Sequence, residues 1–90
     1  MIFMFTGCIQ QISGQDFKNI LADSKNHSAV SYWYAGKKDG YHYIQERWPL
    51  PNETKMFQIS QDQIEVLKPL EFTKDQSSWI NLKHDDVIIK

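Results

Sequence analysis

Hydrophobic and polar positions follow a helical spacing first along this chain and a strand-like spacing afterwards. Phe17, Ile20 and Leu21 recur at i, i+3 and i+4, and Ser13-Gly14-Gln15-Asp16 sets a hydroxyl N-cap three residues before a carboxylate. These features predict a helix from about Gly14 to Ser24, with Asp16 suiting the positive end of its dipole, Lys25 suiting the other end, and Asn26 as a stop. From Ser28 the pattern becomes a short run of Val, Tyr and Trp. Gly36-Lys37-Lys38-Asp39-Gly40 separates it from a second run, Tyr41 to Trp48, and the pair reads as a β-hairpin. Glycines at both ends of that loop allow positive φ where the chain reverses.

Pro49-Leu50-Pro51-Asn52 ends the second strand, because proline lacks the N–H that a ladder needs. Lys55 to Ser60 alternates again, with Lys55, Phe57 and Ile59 on one side and Met56 and Gln58 on the other, which predicts a third strand. Ile64 to Leu67 forms a fourth, reached through a polar turn at Gln61 and Asp62 and ended by Pro69. Thr73-Lys74-Asp75-Gln76 either caps a helix carrying Trp79 and Ile80 or precedes a strand from Trp79 to Leu82, and the strand is favoured. His84-Asp85-Asp86 reads as a turn and Val87-Ile88-Ile89 as the final strand. The fold class is therefore α+β: one N-terminal helix packed on a small antiparallel β-sheet or partly open barrel. Residues 13–90 form a single domain, and residues 1–12 an apolar N-terminal segment.

Six of the seven Tyr and Trp residues lie between Tyr32 and Trp48. Pairing Gly36 with Gly40 places Trp33 opposite Tyr43, Tyr32 opposite Ile44, and Tyr34 opposite His42. One face then carries Val30, Tyr32, Tyr34, Ile44 and Trp48, and the other Trp33, Ala35, Tyr41, Tyr43 and Arg47. One of these faces packs on the core, while the other is covered by the helix or stays exposed as an aromatic patch. Trp33, Tyr41, Tyr43 and Arg47 are candidate binding residues, because Trp, Tyr and Arg are enriched at binding hot spots. The competing reading gives the same side chains a packing role, through cross-strand aromatic pairs.

Ninety residues suffice for one core and are too few for two independent domains. Ten Lys and Arg against eleven Asp and Glu leave a net charge of -1, which gives no electrostatic footprint for a nucleic acid. His27, His42 and His84 fall in three different elements without an i, i+4 partner, and no H-E-x-x-H, Walker A or dinucleotide glycine motif occurs. No metal site, cofactor or catalytic residue is assigned, and the chain reads as non-enzymatic. Asp62, Glu65, Asp85 and Asp86 sit in polar stretches as solvated charges rather than as an acid and base pair. A nucleophilic pair of Cys8 with His42 would need the fold to bring the two together.

The single cysteine excludes an internal disulfide framework. Its flanks carry more information: the apolar run Met1-Ile2-Phe3-Met4-Phe5 is followed by Thr6-Gly7-Cys8, and that order resembles a bacterial lipobox. The resemblance covers about eight residues. It implies an acylated Cys8, a cell-envelope location, and membrane contact only through that lipid. Five apolar residues and no Lys or Arg precede Cys8, whereas a signal peptide has a basic start and roughly 7 to 15 apolar residues, so this reading places the true start upstream of Met1. The alternative makes Ile2 to Phe5 a buried strand and Cys8 a core residue, in a cytoplasmic interaction or regulatory module. The run is too short for a membrane-spanning helix, which needs about 20 apolar residues. The expected partner is a protein or small ligand, or a second copy of the chain.

Overall fold

A computed structural model of the chain describes residues 9–26, 29–49 and 54–90. Cys8, the apolar run before it, and Leu50, Pro51 and Asn52 of the expected connection lie outside the described residues. In chain order the elements are β1 (Ile9–Gln11), α1 (Gly14–Asp23), β2 (Ser31–Lys38), β3 (Tyr41–Arg47), β4 (Thr54–Ser60), β5 (Ile64–Val66), β6 (Ile80–Asn81) and β7 (Val87–Ile89). Single 3-10 turns occur at Ser24–Asn26, Gln76–Ser78 and His84–Asp86.

The helix begins where the cap places it. Ser13 is extended and its hydroxyl accepts from the Asp16 amide at 3.0 Å, satisfying one of the donors that a helix start leaves open. Phe17 and Leu21 are buried, as their spacing requires. The Lys18 ammonium reaches across to the carbonyls of His84 and Val87, so the helix also ties down the C-terminal segment.

The hairpin forms with a different register from the one expected. Its turn is the two-residue pair Asp39-Gly40, with φ of 55° and 88°, and Lys38 pairs with Tyr41. Two left-handed residues match the right-handed twist of the flanking strands, so the ladder runs on through Gly36 instead of ending there. An irregularity between Tyr34 and Gly36 takes up one residue. Beyond it Tyr34 faces Ile44, Trp33 faces Gln45 and Tyr32 faces Glu46. The pairings Trp33 with Tyr43, Tyr32 with Ile44 and Tyr34 with His42 are thus corrected. For these three residues the slip is two positions, an even number, so the two faces keep their predicted membership.

β3 and β4 pair antiparallel from Tyr41 with Ser60 to Arg47 with Thr54, and the full sheet has the order β1-β4-β3-β2-β6. It is mixed rather than purely antiparallel, because β1 runs parallel to β4 with Ile9 beside Met56. A parallel neighbour needs a long crossover, and here the helix and the hairpin supply it. Among the described residues the sheet has β1 and β6 at its edges and does not close into a barrel. β5 and β7 form a separate antiparallel pair, Ile64 with Ile89 and Val66 with Val87. Trp79 to Leu82, expected as a strand, holds only Ile80–Asn81 in the ladder, after a 3-10 turn whose start is capped by Asp75.

The main core lies on the inner face of the sheet. Tyr32, Tyr34, Ile44, Phe57 and Ile59 meet Phe17 and Leu21 of the helix and Ile64, Val66 and Val87 of the small sheet. A second, smaller cluster lies on the outer face, where Ala35, Met56 and Trp79 are packed with Trp33, Tyr43 and Phe72.

Candidate binding face of the sheet

The outer face is built by a strap that returns across it. After β5 the chain runs beside β2: Lys37 donates to Leu70 O at 2.9 Å, Phe72 donates to Lys37 O at 3.1 Å, and Thr73 donates to Ala35 O at 3.0 Å. Glu71 and Lys37 form a parallel bridge there. Gly36 permits this approach, since its φ is 116° and an added Cβ would sit 2.4 Å from Phe72 N. Asp75 then accepts from Ser77 N, Ser77 Oγ and Ser78 Oγ, turning the chain so that Trp79 folds back onto the sheet. These bonds hold the Asp75 carboxyl below its usual range. The Trp79 indole donates to Thr73 O at 2.8 Å, fastening the loop to itself.

Arg47 lies over two indoles, 4.8 Å from the Trp33 ring centre and 5.7 Å from that of Trp79. Its guanidinium also donates to Gln45 Oε1 at 2.6 Å and Gln76 Oε1 at 3.3 Å. Such a cation over aromatic rings is attracted by their quadrupoles. Beside this stack a groove of about 460 Å³ opens on the face, walled by Ile9, Tyr43, Met56, Phe72 and Trp79, with Lys38, Asp39, Lys74 and Gln76 completing the lining. Tyr43 and Phe72 meet edge to face at 5.3 Å, and the Gln58 amide donates to the Tyr43 hydroxyl at 2.9 Å.

The four residues singled out from sequence therefore separate. Trp33 and Arg47 share the stack, Tyr43 walls the groove, and Tyr41 stands towards the β1 edge, where its hydroxyl accepts from Gln11 at 3.4 Å. Trp33, Tyr41 and Tyr43 are half-buried rather than freely exposed; for Trp33 and Tyr43 the strap, and not the helix, supplies the partial cover. Sequence reasoning missed Ile9, Met56, Phe72, Trp79 and the two lysines as groove residues. The one local signal within reach was Asp39-Gly40, a strong two-residue hairpin signature that fixes the register; nothing local announces that Phe72 and Trp79 cross the sheet.

The inner face holds two buried polar pairs. Tyr34 Oη and His42 Nδ1 lie 2.9 Å apart, with His42 only 6% exposed. Burial lowers the His42 pKa from its ordinary 6.5, the Ile64 backbone bond opposes that, and the charges of Lys37 and Lys90 add to the lowering. Burial likewise pushes the Tyr34 hydroxyl up to about 12. Glu46 accepts from the Tyr32 hydroxyl at 2.7 Å and the Trp48 indole at 2.8 Å. Burial first, and Glu46 second, raise the Tyr32 pKa.

A histidine held neutral by the fold makes stability depend on pH with a definite sign. Between its lowered folded pKa and 6.5 the unfolded chain binds more protons, so stability is intact above pH 6.5 and falls as pH drops below it. The slope is at most about 1.4 kcal/mol per pH unit for one proton. Urea denaturation at pH 7.5, 6.5 and 5.5 is expected to show that decline, with a much flatter profile in His42→Phe. An equally steep decline in the variant would assign the effect to other groups.

Among the described residues, no three His, Cys, Asp or Glu side chains are grouped to hold a metal ion, and no helix is long and apolar enough to cross a membrane. Asp85 is exposed beside His84, while Asp86 accepts from the Lys83 amide and pairs with Lys68 at 3.4 Å, so the C-terminal carboxylates serve local structure. Compared with protein-family models, curated proteins and solved structures, the chain matches none of them.

Proposed function

We propose that this domain is a non-enzymatic binding module that receives an apolar ligand or partner segment in the groove on the outer face of its sheet. The observation that carries this is the groove itself: five apolar or aromatic walls around about 460 Å³ within a chain of only ninety residues. That volume falls within the roughly 300 to 1,000 Å³ typical of small-molecule sites. Trp33 and Arg47 brace its margin through the stack with Trp79.

The lipobox-like Thr6-Gly7-Cys8 supports a second part of the proposal, that the module is anchored in the cell envelope through a lipid on Cys8. Cys8 immediately precedes Ile9, a groove wall, so a lipid there would hold the groove beside the membrane surface. Labelling the native gene product with an alkyne palmitate should mark the wild type and not Cys8→Ala; absence of label on the wild type would count against anchoring.

Binding is tested with a neutral apolar dye such as Nile red. Ile9 is 47% exposed, so Ile9→Glu should leave the fold intact while placing a charge in the groove. Dye fluorescence is expected to rise with the wild type and to fall at least fivefold in affinity with the variant. Undiminished binding by a folded variant would move the site elsewhere, and no binding by the wild type would remove the proposal.

A further inference from the structure

The charges at the groove mouth point to a class of ligand. We infer that the groove takes a single-chain amphiphile with a carboxylate head, a fatty acid, an inference that rests on the outer face being a binding surface. The chain as a whole carries a net charge of -1, yet Lys38 and Lys74 line this groove against one carboxylate, Asp39, a local surplus of the opposite sign. Among the described residues neither lysine forms an ion pair. Asp75, next to Lys74, keeps its negative charge but is turned towards Ser77 and Ser78 and does not line the groove, and the Lys38 ammonium stands 5.6 Å from the Phe72 ring centre, at the groove wall.

The walls fit the rest of such a molecule. Ile9, Met56, Phe72 and Trp79 offer hydrocarbon and ring faces, and methionine adapts its shape to an occupant of many conformers, which suits an alkyl chain better than a rigid ring system. To the burial of the alkyl chain between the apolar walls is added the attraction of its carboxylate by two ammonium groups at the mouth. A neutral head of equal chain length gains nothing from them, and a cationic head is repelled.

The test is tryptophan fluorescence of the full chain, titrated below the critical micelle concentration with dodecanoate, dodecanol and dodecyltrimethylammonium at pH 8. Dodecanoate is expected to bind at least tenfold more tightly than dodecanol, about 1.4 kcal/mol, and the trimethylammonium compound more weakly than either. The double variant Lys38→Gln, Lys74→Gln changes exposed side chains only; on it dodecanoate should bind no more tightly than dodecanol does. Equal binding of dodecanoate and dodecanol by the wild type would overturn the carboxylate assignment while leaving the binding face in place. Binding of neither would also overturn it, and the Nile red titration then decides separately whether the groove binds anything apolar.

Discussion

Replacing Gly36 with alanine is expected to cost about 3 to 5 kcal/mol, from two sources that act together. Gly36 has φ of 116°, which a side chain makes costly, and its Cβ would lie 2.4 Å from Phe72 N and 2.5 Å from Glu71 C and O. Those are backbone atoms, tied to β2 by the bonds between Lys37 and Leu70, Phe72 and Lys37, and Thr73 and Ala35, so they cannot swing aside as a flexible side chain would. Relief requires the strap to lift from β2, which also dismantles the groove. Gly40→Ala is the matched control: φ there is 88° but nothing lies within 4 Å of an added Cβ, so it carries only the conformational cost, about 1 to 2 kcal/mol. Denaturation of both variants, with near-ultraviolet circular dichroism to follow the Trp33, Trp79 and Tyr43 environment, should show a much larger loss at Gly36. Equal losses would mean that close approach of the strap contributes nothing.

Phe17→Ala is expected to cost a further kind of stability, about 3 to 5 kcal/mol, as for a fully buried aromatic truncation. Phe17 is 0% exposed and meets Tyr32 at 6.0 Å and Phe57 at 6.1 Å, both edge to face, joining the helix to two strands of the sheet. A domain this small has a net stability near the lower end of about 5 to 15 kcal/mol, so the variant should be largely unfolded at 37 °C. Phe17→Leu retains much of the volume and should lose clearly less. Urea denaturation at 25 °C reads both, and a loss under 1 kcal/mol for the alanine variant would show that the helix is not anchored through this ring.

How far these features were legible in the sequence depended on whether a local rule governed them. Ser13 and the Phe17, Ile20, Leu21 spacing determine a helix by neighbours three and four residues apart, and that helix is present. Alternation at Lys55 to Ser60 sorts Phe57 and Ile59 inward and Met56 outward, as found. The hairpin faces were legible for the same reason, while its register was not: the five-residue loop between Gly36 and Gly40 overlooked the Asp39-Gly40 turn and gave Gly36 the wrong task. Gly36 serves a contact with Phe72, thirty-six residues away in sequence, and no spacing rule reaches that far. The parallel pairing of β1 with β4 is equally non-local.

The candidate site divides in the same way. The concentration of Tyr and Trp marked the hairpin, on both of its faces, yet the groove needs Phe72 and Trp79 from the strap and Ile9 from the edge strand, none of them adjacent in sequence to Tyr43. Buried polar pairs were also invisible from composition: Glu46, 6% exposed, reads as an ordinary surface charge until Tyr32 and Trp48 are seen to donate to it.

The most direct measurement of the central claim, that the outer groove is where this domain binds, is a methyl and aromatic chemical-shift map of the labelled protein during titration with dodecanoate or Nile red. The claim requires the largest shifts at Ile9 and Met56 methyls and at Tyr43, Phe72 and Trp79 rings, with the inner-face Ile44, Ile64 and Val87 methyls unmoved. Shifts centred instead on the exposed Ile88 and Ile89 of the small sheet and Leu67 just after β5, or no shifts at ligand concentrations up to solubility, would contradict it.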